Sequence, residues 1–391
     1  MNLLKEVEAR RSYCIDLRRW FHRHPELSLK EYNTSKRIEE ELDKLGIEHS
    51  RVGETGIYAV IKGKKGEGKV LGIRADMDAL PIQEVKNREY HSENEGISHA
   101  CGHDGHTASL LTTAAVIKEH ENDFAGEVRL FFQQAEEIGA GGRLFVAAGL
   151  MNGVERVIGY HGSSLLEVGQ VSCTPGPNNA SCDFFRITVK GESAHVSTPQ
   201  KGIDALYISS LIVSGLQGIV ARNTDPFDNV VVGIGKLVAG TAYNIIADEA
   251  VIEGTTRCFT DEIRKKTNGL VERYAKGIAE AYGATAEVEF KNFANPLING
   301  ETGSVEAARC AEKIIGKENV VTDFPKALGA DDMADFLREA EGCYMYVGTR
   351  SKDNPDTASP QHSITFDIGE DSMLIASSII VTYFKEFFRV E

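Results

Sequence analysis

No uninterrupted apolar run in this 391-residue chain reaches the length of a bilayer-spanning helix. The longest apolar run, Met373 to Phe384, is interrupted by Ser377, Ser378 and Thr382 and covers about 12 residues, against the ~20 that a spanning helix needs. It reads as a C-terminal core helix. Met1 to Tyr13 carries Lys5, Glu6, Glu8, Arg10 and Arg11 and has no apolar segment leading to a small-residue cleavage site, so it does not read as a signal peptide. Positive charge is also short. The 43 Lys and Arg stand against 58 Asp and Glu, a net charge of −15. That argues against nucleic acid or an anionic membrane as a partner, because phosphate recognition takes clustered cations. A disulfide framework is missing too. The seven cysteines, at 14, 101, 173, 182, 258, 310 and 343, are odd in number and widely spaced, as expected of reduced thiols in a cytoplasmic protein. Internal repeats and low-complexity segments are absent.

What remains is an ordinary globular composition, 42% hydrophobic and 26% charged, in a chain long enough for two domains. Asn2 to Leu45 has helical spacing, with Leu17, Trp20 and Phe21 on one stripe and Ile38, Leu42 and Leu45 on another. Pro25 disfavours helix at His24 and separates the two, and Gly46 ends the second. Short apolar runs then lead into polar residues: Val70–Arg74 into Ala75-Asp76-Met77-Asp78, Val128–Gln133 into Gln134-Ala135-Glu136-Glu137, and Val157–Tyr160 into His161. Helical stretches, about 104–119 and 142–148, lie between them. Alternating strands and helices predict an α/β fold with a mixed, largely parallel sheet. In such sheets ligands bind beyond the carboxyl ends of strands, where Asp76, Asp78, Glu136, Glu137 and His161 are predicted to fall.

The pattern changes near residue 182. Strands at 184–190, 229–238, 250–259 and 286–290 alternate with helices at 203–220 and 261–282, the latter N-capped by Asp261. The order βαββαβ is ferredoxin-like. It predicts an inserted domain over 182–291 within a discontinuous first domain, 1–181 and 292–391.

His99-Ala-Cys-Gly-His-Asp-Gly-His106 is the densest chemical cluster, with three imidazoles and a thiol in eight residues. Thiolate and imidazole are preferred ligands of zinc and similar ions. Gly102 opens backbone conformations that let Cys101 and His103 converge. In Glu136-Glu137 two adjacent carboxylates point in different directions. One can hold an ion, which lowers the pKa of its water to about 7, while the other takes the proton. Asp78 can orient a ligand histidine from behind. His161 and His362 are each more often ordinary satisfied histidines. With Cys101, His103 and Glu137 they would make five ligands, about the number two bridged metals use. His195, in Gly191–Pro199, is a candidate donor to a developing oxyanion.

These motifs resemble the aminoacylase and amidohydrolase branch of the M20 metallopeptidases. The resemblance is carried by Phe21–Ser28, Arg74–Pro81, His99–His106, Gln133–Glu137, Tyr243–Asp248 and Gly254–Arg257. It implies that Cys101, His103, Glu137, His161 and His362 bind two divalent ions, with Cys101 bridging and Glu136 the general base. It implies that His195, Asn244, Arg257 and Gly329 reach the substrate, and that the insert is a lid that makes a homodimer or higher homo-oligomer. The substrate would be an N-acyl amino acid or related small amide. A dipeptidase or carboxypeptidase with the same centre, and a non-catalytic metal-binding homologue, are the alternatives. The thiolate favours zinc, and the resemblance leaves manganese, cobalt and nickel open. The chain departs from the branch at Gln134, Ala247, Gln200, Gly162-Ser-Ser and Gly329–Met333, none of which removes a proposed ligand or the base.

Overall fold

The computed structural model describes residues Leu3 to Val390. The chain forms two compact units. The first comprises Met1–Gly176, Ile298–Pro325 and Asp331–Glu391, and the second Pro177–Leu297 and Lys326–Ala330.

The first unit is built on an eight-stranded sheet in the order Glu48–Val52, Gly56–Lys62, Glu127–Gln133, Val70–Asp76, Arg156–Glu167, Gly342–Arg350, Val171–Ser172, Val320–Val321. The four middle strands, from Glu127–Gln133 to Gly342–Arg350, run parallel. Val70–Asp76 is buried along nearly its whole length, as a central parallel strand covered on both faces should be. Helix His103–Glu119 packs between the helices Arg11–Arg23 and Asp371–Phe388. It is buried from His103 through Ile117, so it has no solvent face and little amphipathic pattern. The first segment holds three helices, Leu3–Glu8, Arg11–Arg23 and Tyr32–Leu45, rather than the two expected from the Pro25 break alone. Gly46 closes the third in the left-handed conformation, at φ 65°.

One strand differs from its predicted end. Arg156–Glu167 does not stop at His161 but continues through Gly162-Ser-Ser, because Gly342–Arg350 pairs alongside it to Gly348 opposite Ser163 and, after a register shift, to Arg350 opposite Glu167. His161 therefore projects from within a strand.

The second unit has the four-stranded antiparallel sheet Thr285–Ala294, Cys182–Lys190, Glu249–Cys258, Val230–Ala239, with helices Ala205–Gly218 and Asp261–Ala281. This is the ferredoxin-like order. Ile208, Ile212, Leu216 and Ile219 pack with Phe185, Ile187, Val189 and Ile252 in its core. Thr260, not Asp261, caps the second helix. Its side chain accepts the Ile263 amide and Asp261 becomes the first helical residue, where its charge suits the helix dipole. Lys326–Ala330 joins this unit because Ala327 donates to the Asn178 carbonyl at 2.8 Å and accepts from Ala180 at 3.1 Å.

Candidate metal centre

Asp76 ends its strand fully buried, against the fully buried Arg74 guanidinium at 2.6 Å. Two residues on, Asp78 accepts the amides of Glu136 and Glu137 at 3.1 Å each, one on each carboxylate oxygen, and the Ser28 hydroxyl at 2.6 Å. Its backbone carbonyl lies 2.9 Å from His103 Nδ1. A carbonyl can only accept, so Nδ1 carries a proton, and Nε2 is the nitrogen turned to the pocket. That Nε2 is buried and has no hydrogen-bond partner, with Glu137 Oε1 3.8 Å and Glu136 Oε2 4.0 Å away. Glu137 Oε1 is likewise buried and unpartnered.

Gly102, at φ 91°, precedes the long helix and lets Cys101 and His103 face one pocket. Ligand-type atoms of Cys101, His103 and His161 lie within 4.8 Å of one another, and so do those of Cys101, Glu137 and His362. Cys101 belongs to both sets. Its Sγ is 3.4 Å from His161 Nε2, and His362 Nε2 is 3.4 Å from Glu137 Oε2. His161 Nδ1 is turned to the Gly162 carbonyl at 2.8 Å, with Gln361 Nε2 nearby at 3.1 Å, so its Nε2 faces the thiol. His362 is held at φ 63°, a strained value for a side chain, while its amide donates to Ala100 at 2.8 Å.

His106 belongs to the same motif but is committed elsewhere. Its Nδ1 pairs with Asp76 Oδ1 at 2.5 Å and its Nε2 accepts the Gly162 amide at 3.0 Å, so neither nitrogen is free to ligate. His99 is buried with both nitrogens unpartnered, and burial lowers its pKa to about 4. Asp331 and Asp332 approach Glu136 but are saturated. Asp331 accepts from Tyr344, Arg74 and the Met333 amide, and Asp332 from Arg74, Gln133 and the Gly142 amide.

The electrostatics suit cations. Burial, followed by the charges of Asp331 and Glu137, holds the Glu136 carboxyl well above its usual range, and burial raises Glu137 to about 7. Burial and the two glutamates push the Cys101 thiol up. Burial would lower His103, but Asp76, Asp78 and Glu137 outweigh it and carry it to about 10. Burial brings His161 down to about 3. A dication reverses this logic, ionising the thiol and the carboxylates around it. The soft thiolate, imidazoles and carboxylate, with two orphaned buried polar atoms, fit a pair of divalent ions.

The remaining candidate residues lie in the second unit. His195 Nδ1 accepts the Ser197 amide at 3.1 Å, which leaves the proton on Nε2. The strand-like segment around it pairs with the one carrying Asn244: Val196 donates to the Asn244 carbonyl at 3.1 Å, and His195 bridges to Ile245. Arg257 sits half-buried on a central strand and Gly329 is exposed. Sequence reasoning passed over Glu31, buried against the Glu136-Glu137 turn, and the buried set Arg18, His22, Asp104 and Asp367 beneath the metal loop. Only the tertiary pairing identifies them.

The model of peptidase family M20/M25/M40 matches residues 72–386. The chain is 39% identical over 380 residues to thermostable carboxypeptidase 2 of Saccharolobus solfataricus, covering 96% of this chain and 95% of that protein. It is 43% identical over 299 residues to an N-acyl-L-amino acid amidohydrolase of Geobacillus stearothermophilus, covering 76% and 80%. Among solved structures, a Bacillus subtilis protein described as a dinuclear metal binding peptidase of the M20 family superposes with a TM-score of 0.85 at 34% identity, over 98% of this chain and all of that one.

Proposed function

The chain belongs to peptidase family M20/M25/M40, and from that premise we propose that it is a two-metal amidohydrolase acting on N-acyl amino acids or related small amides. One observation carries the reading. Cys101, His103, Glu137, His161 and His362, drawn from four separate segments, converge on one pocket, and Glu136 stands beside them with its Oε2 4.0 Å from His103 Nε2.

When bound, a pair of cations would supply Lewis acidity, lowering the pKa of water and polarising the scissile carbonyl. Cys101, His103 and His161 would hold one ion and Cys101, Glu137 and His362 the other. Glu136 takes the proton of the attacking water and passes it to the leaving nitrogen. Burial among other carboxylates suits it to this, since a general base works best with a pKa raised toward neutrality. Asp78 keeps the two glutamates in register through their amides and orients His103 through its carbonyl. His195, with its proton on Nε2, is a donor suited to a developing oxyanion. Roles for Asn244, Arg257 and Gly329 in substrate contact rest on the family resemblance. So do zinc or manganese as the metal, a cytoplasmic location, and the second unit as lid and dimerisation domain. The Val230–Ala239 strand lies at the edge of its sheet with Leu237 and Val238 exposed, which supports that last role.

The Saccharolobus solfataricus relative named a carboxypeptidase supports a second reading, peptide-bond cleavage at the same centre. Metal-loaded protein is assayed on N-acetyl and N-benzoyl amino acids against dipeptides. Faster turnover of the N-acyl amino acids is expected, and dipeptide preference would replace the first reading with the second. Glu136→Gln is expected to bind metal normally and lose at least about 10²-fold in kcat. Near-normal turnover in that variant removes Glu136 as the base.

A further inference from the structure

Three successive backbone amides in the first unit all end on carboxylate oxygens. Those of Glu136 and Glu137 go to Asp78, and that of Ala135 goes to Glu31 Oε1 at 2.9 Å. Ala135 needs such a hold. Its backbone is left-handed, at φ 55°, a conformation unfavourable for a non-glycine residue that persists only where the surroundings impose it.

Glu31 lies 104 residues earlier and is completely buried. Its second oxygen accepts the Thr55 hydroxyl at 2.7 Å. Leu29, two residues before it, is likewise left-handed at φ 62°. The residue before Leu29, Ser28, donates its hydroxyl to Asp78. Among the described residues Glu31 has no ion pair. Burial and the nearby Asp78 raise its carboxyl to about 7, so the fold retains an acid where burial disfavours charge. An apolar side chain would fill this place with less penalty, unless the acceptor itself is needed.

We propose that Glu31 is a positioning residue for the reacting carboxylates: it pins the left-handed turn at Ala135, so that Glu136 and Glu137 both face the Cys101–His103 pocket. The inference rests on the proposed hydrolase reading, and its test separates the two. Glu31→Leu removes the acceptor at similar bulk. Glu31→Gln keeps an oxygen for Ala135 and can donate its amide to the Thr55 oxygen.

Hydrogen exchange over residues 133–140 is measured on metal-free protein, and kcat and KM on metal-loaded protein. Glu31→Leu is expected to speed exchange at Ala135–Glu137 about tenfold or more and to lower kcat roughly 100-fold with KM within about threefold, since small displacements of reacting groups cost about that much. Glu31→Gln is expected to stay within about threefold of the parent in both, and it is this contrast with Glu31→Leu, of similar bulk, that a merely space-filling role would not predict. Unchanged exchange in Glu31→Leu, or kcat within about threefold of the parent, overturns the proposal. If that variant does not fold, Thr55→Val, which frees the other oxygen, is expected to lower kcat roughly five- to tenfold, and an unaffected Thr55→Val overturns the proposal equally. A parent inactive on every amide, with faster exchange in Glu31→Leu, would sink the hydrolase reading and support the clamp.

Discussion

Replacing Arg18 by Met tests the buried charge network beneath the metal loop. Arg18 is 1% exposed, and its guanidinium donates to Asp104 at 2.8 Å and to Asp367 at 2.6 Å. At an effective dielectric of ~20, a pair near 4 Å is worth about 4 kcal/mol, so two pairs would amount to about 8. Part survives the substitution, because His22 stays 2.7 Å from Asp104 and Arg88 stays 3.3 Å from Asp367. The expected loss is therefore ~3–5 kcal/mol, the usual result of leaving buried partners uncompensated. The pH dependence checks the cause. In the parent, burial would raise Asp367, but Arg18 and Arg88 outweigh it and hold it at about 2. Its stabilisation is full above the unfolded carboxyl pKa of ~3.9 and is lost as pH falls toward 2. In Arg18→Met both carboxyls rise above their unfolded values, so protonation relieves the penalty as pH drops. Urea unfolding of parent and variant at pH 7 and pH 4.5 should give a difference that shrinks at the lower pH. A difference below about 1 kcal/mol at pH 7, or one unchanged at pH 4.5, would refute the reasoning.

Gly141→Ala should disturb the same turn from its other side: an added Cβ would lie 1.7 Å from the Gln134 carbonyl. The expected cost is ~1–3 kcal/mol with a clear loss of turnover, and a variant with parental melting temperature and kcat would contradict it. Cys101→Ala should bind far less than two metals per chain while His362→Ala keeps one, because only the thiol belongs to both ligand sets. Elemental analysis after gel filtration reads the ratio, and equal losses in the two variants would argue against a bridging thiol.

Much of this site could be read from the chain because its donors cluster locally. Cys101 and His103 share one turn, and Glu136 and Glu137 share another. The parallel sheet and the βαββαβ unit were legible for a similar reason, since each apolar run ends in a clear polar break. What could not be read depends on who meets whom across the fold. His106 looks as good a ligand as His103 until Asp76 and Gly162 are seen to occupy both its nitrogens. Glu31 has no local signal, and its partner is 104 residues away. The Arg156–Glu167 strand outruns its apolar stretch because a neighbouring strand from residue 342 onward supplies the pairing.

The parallel core also sets an order of events for the growing polypeptide. Cys101, His103, Glu137 and His161 come from its first half, but His362 follows the last sheet strand. A nascent or truncated chain ending before that point retains the three donors assigned to one ion and lacks a member of the other set. Such a fragment also lacks helix Asp371–Phe388, which packs against His103–Glu119, so its thiol and imidazoles would be carried on an unfinished core until synthesis ends.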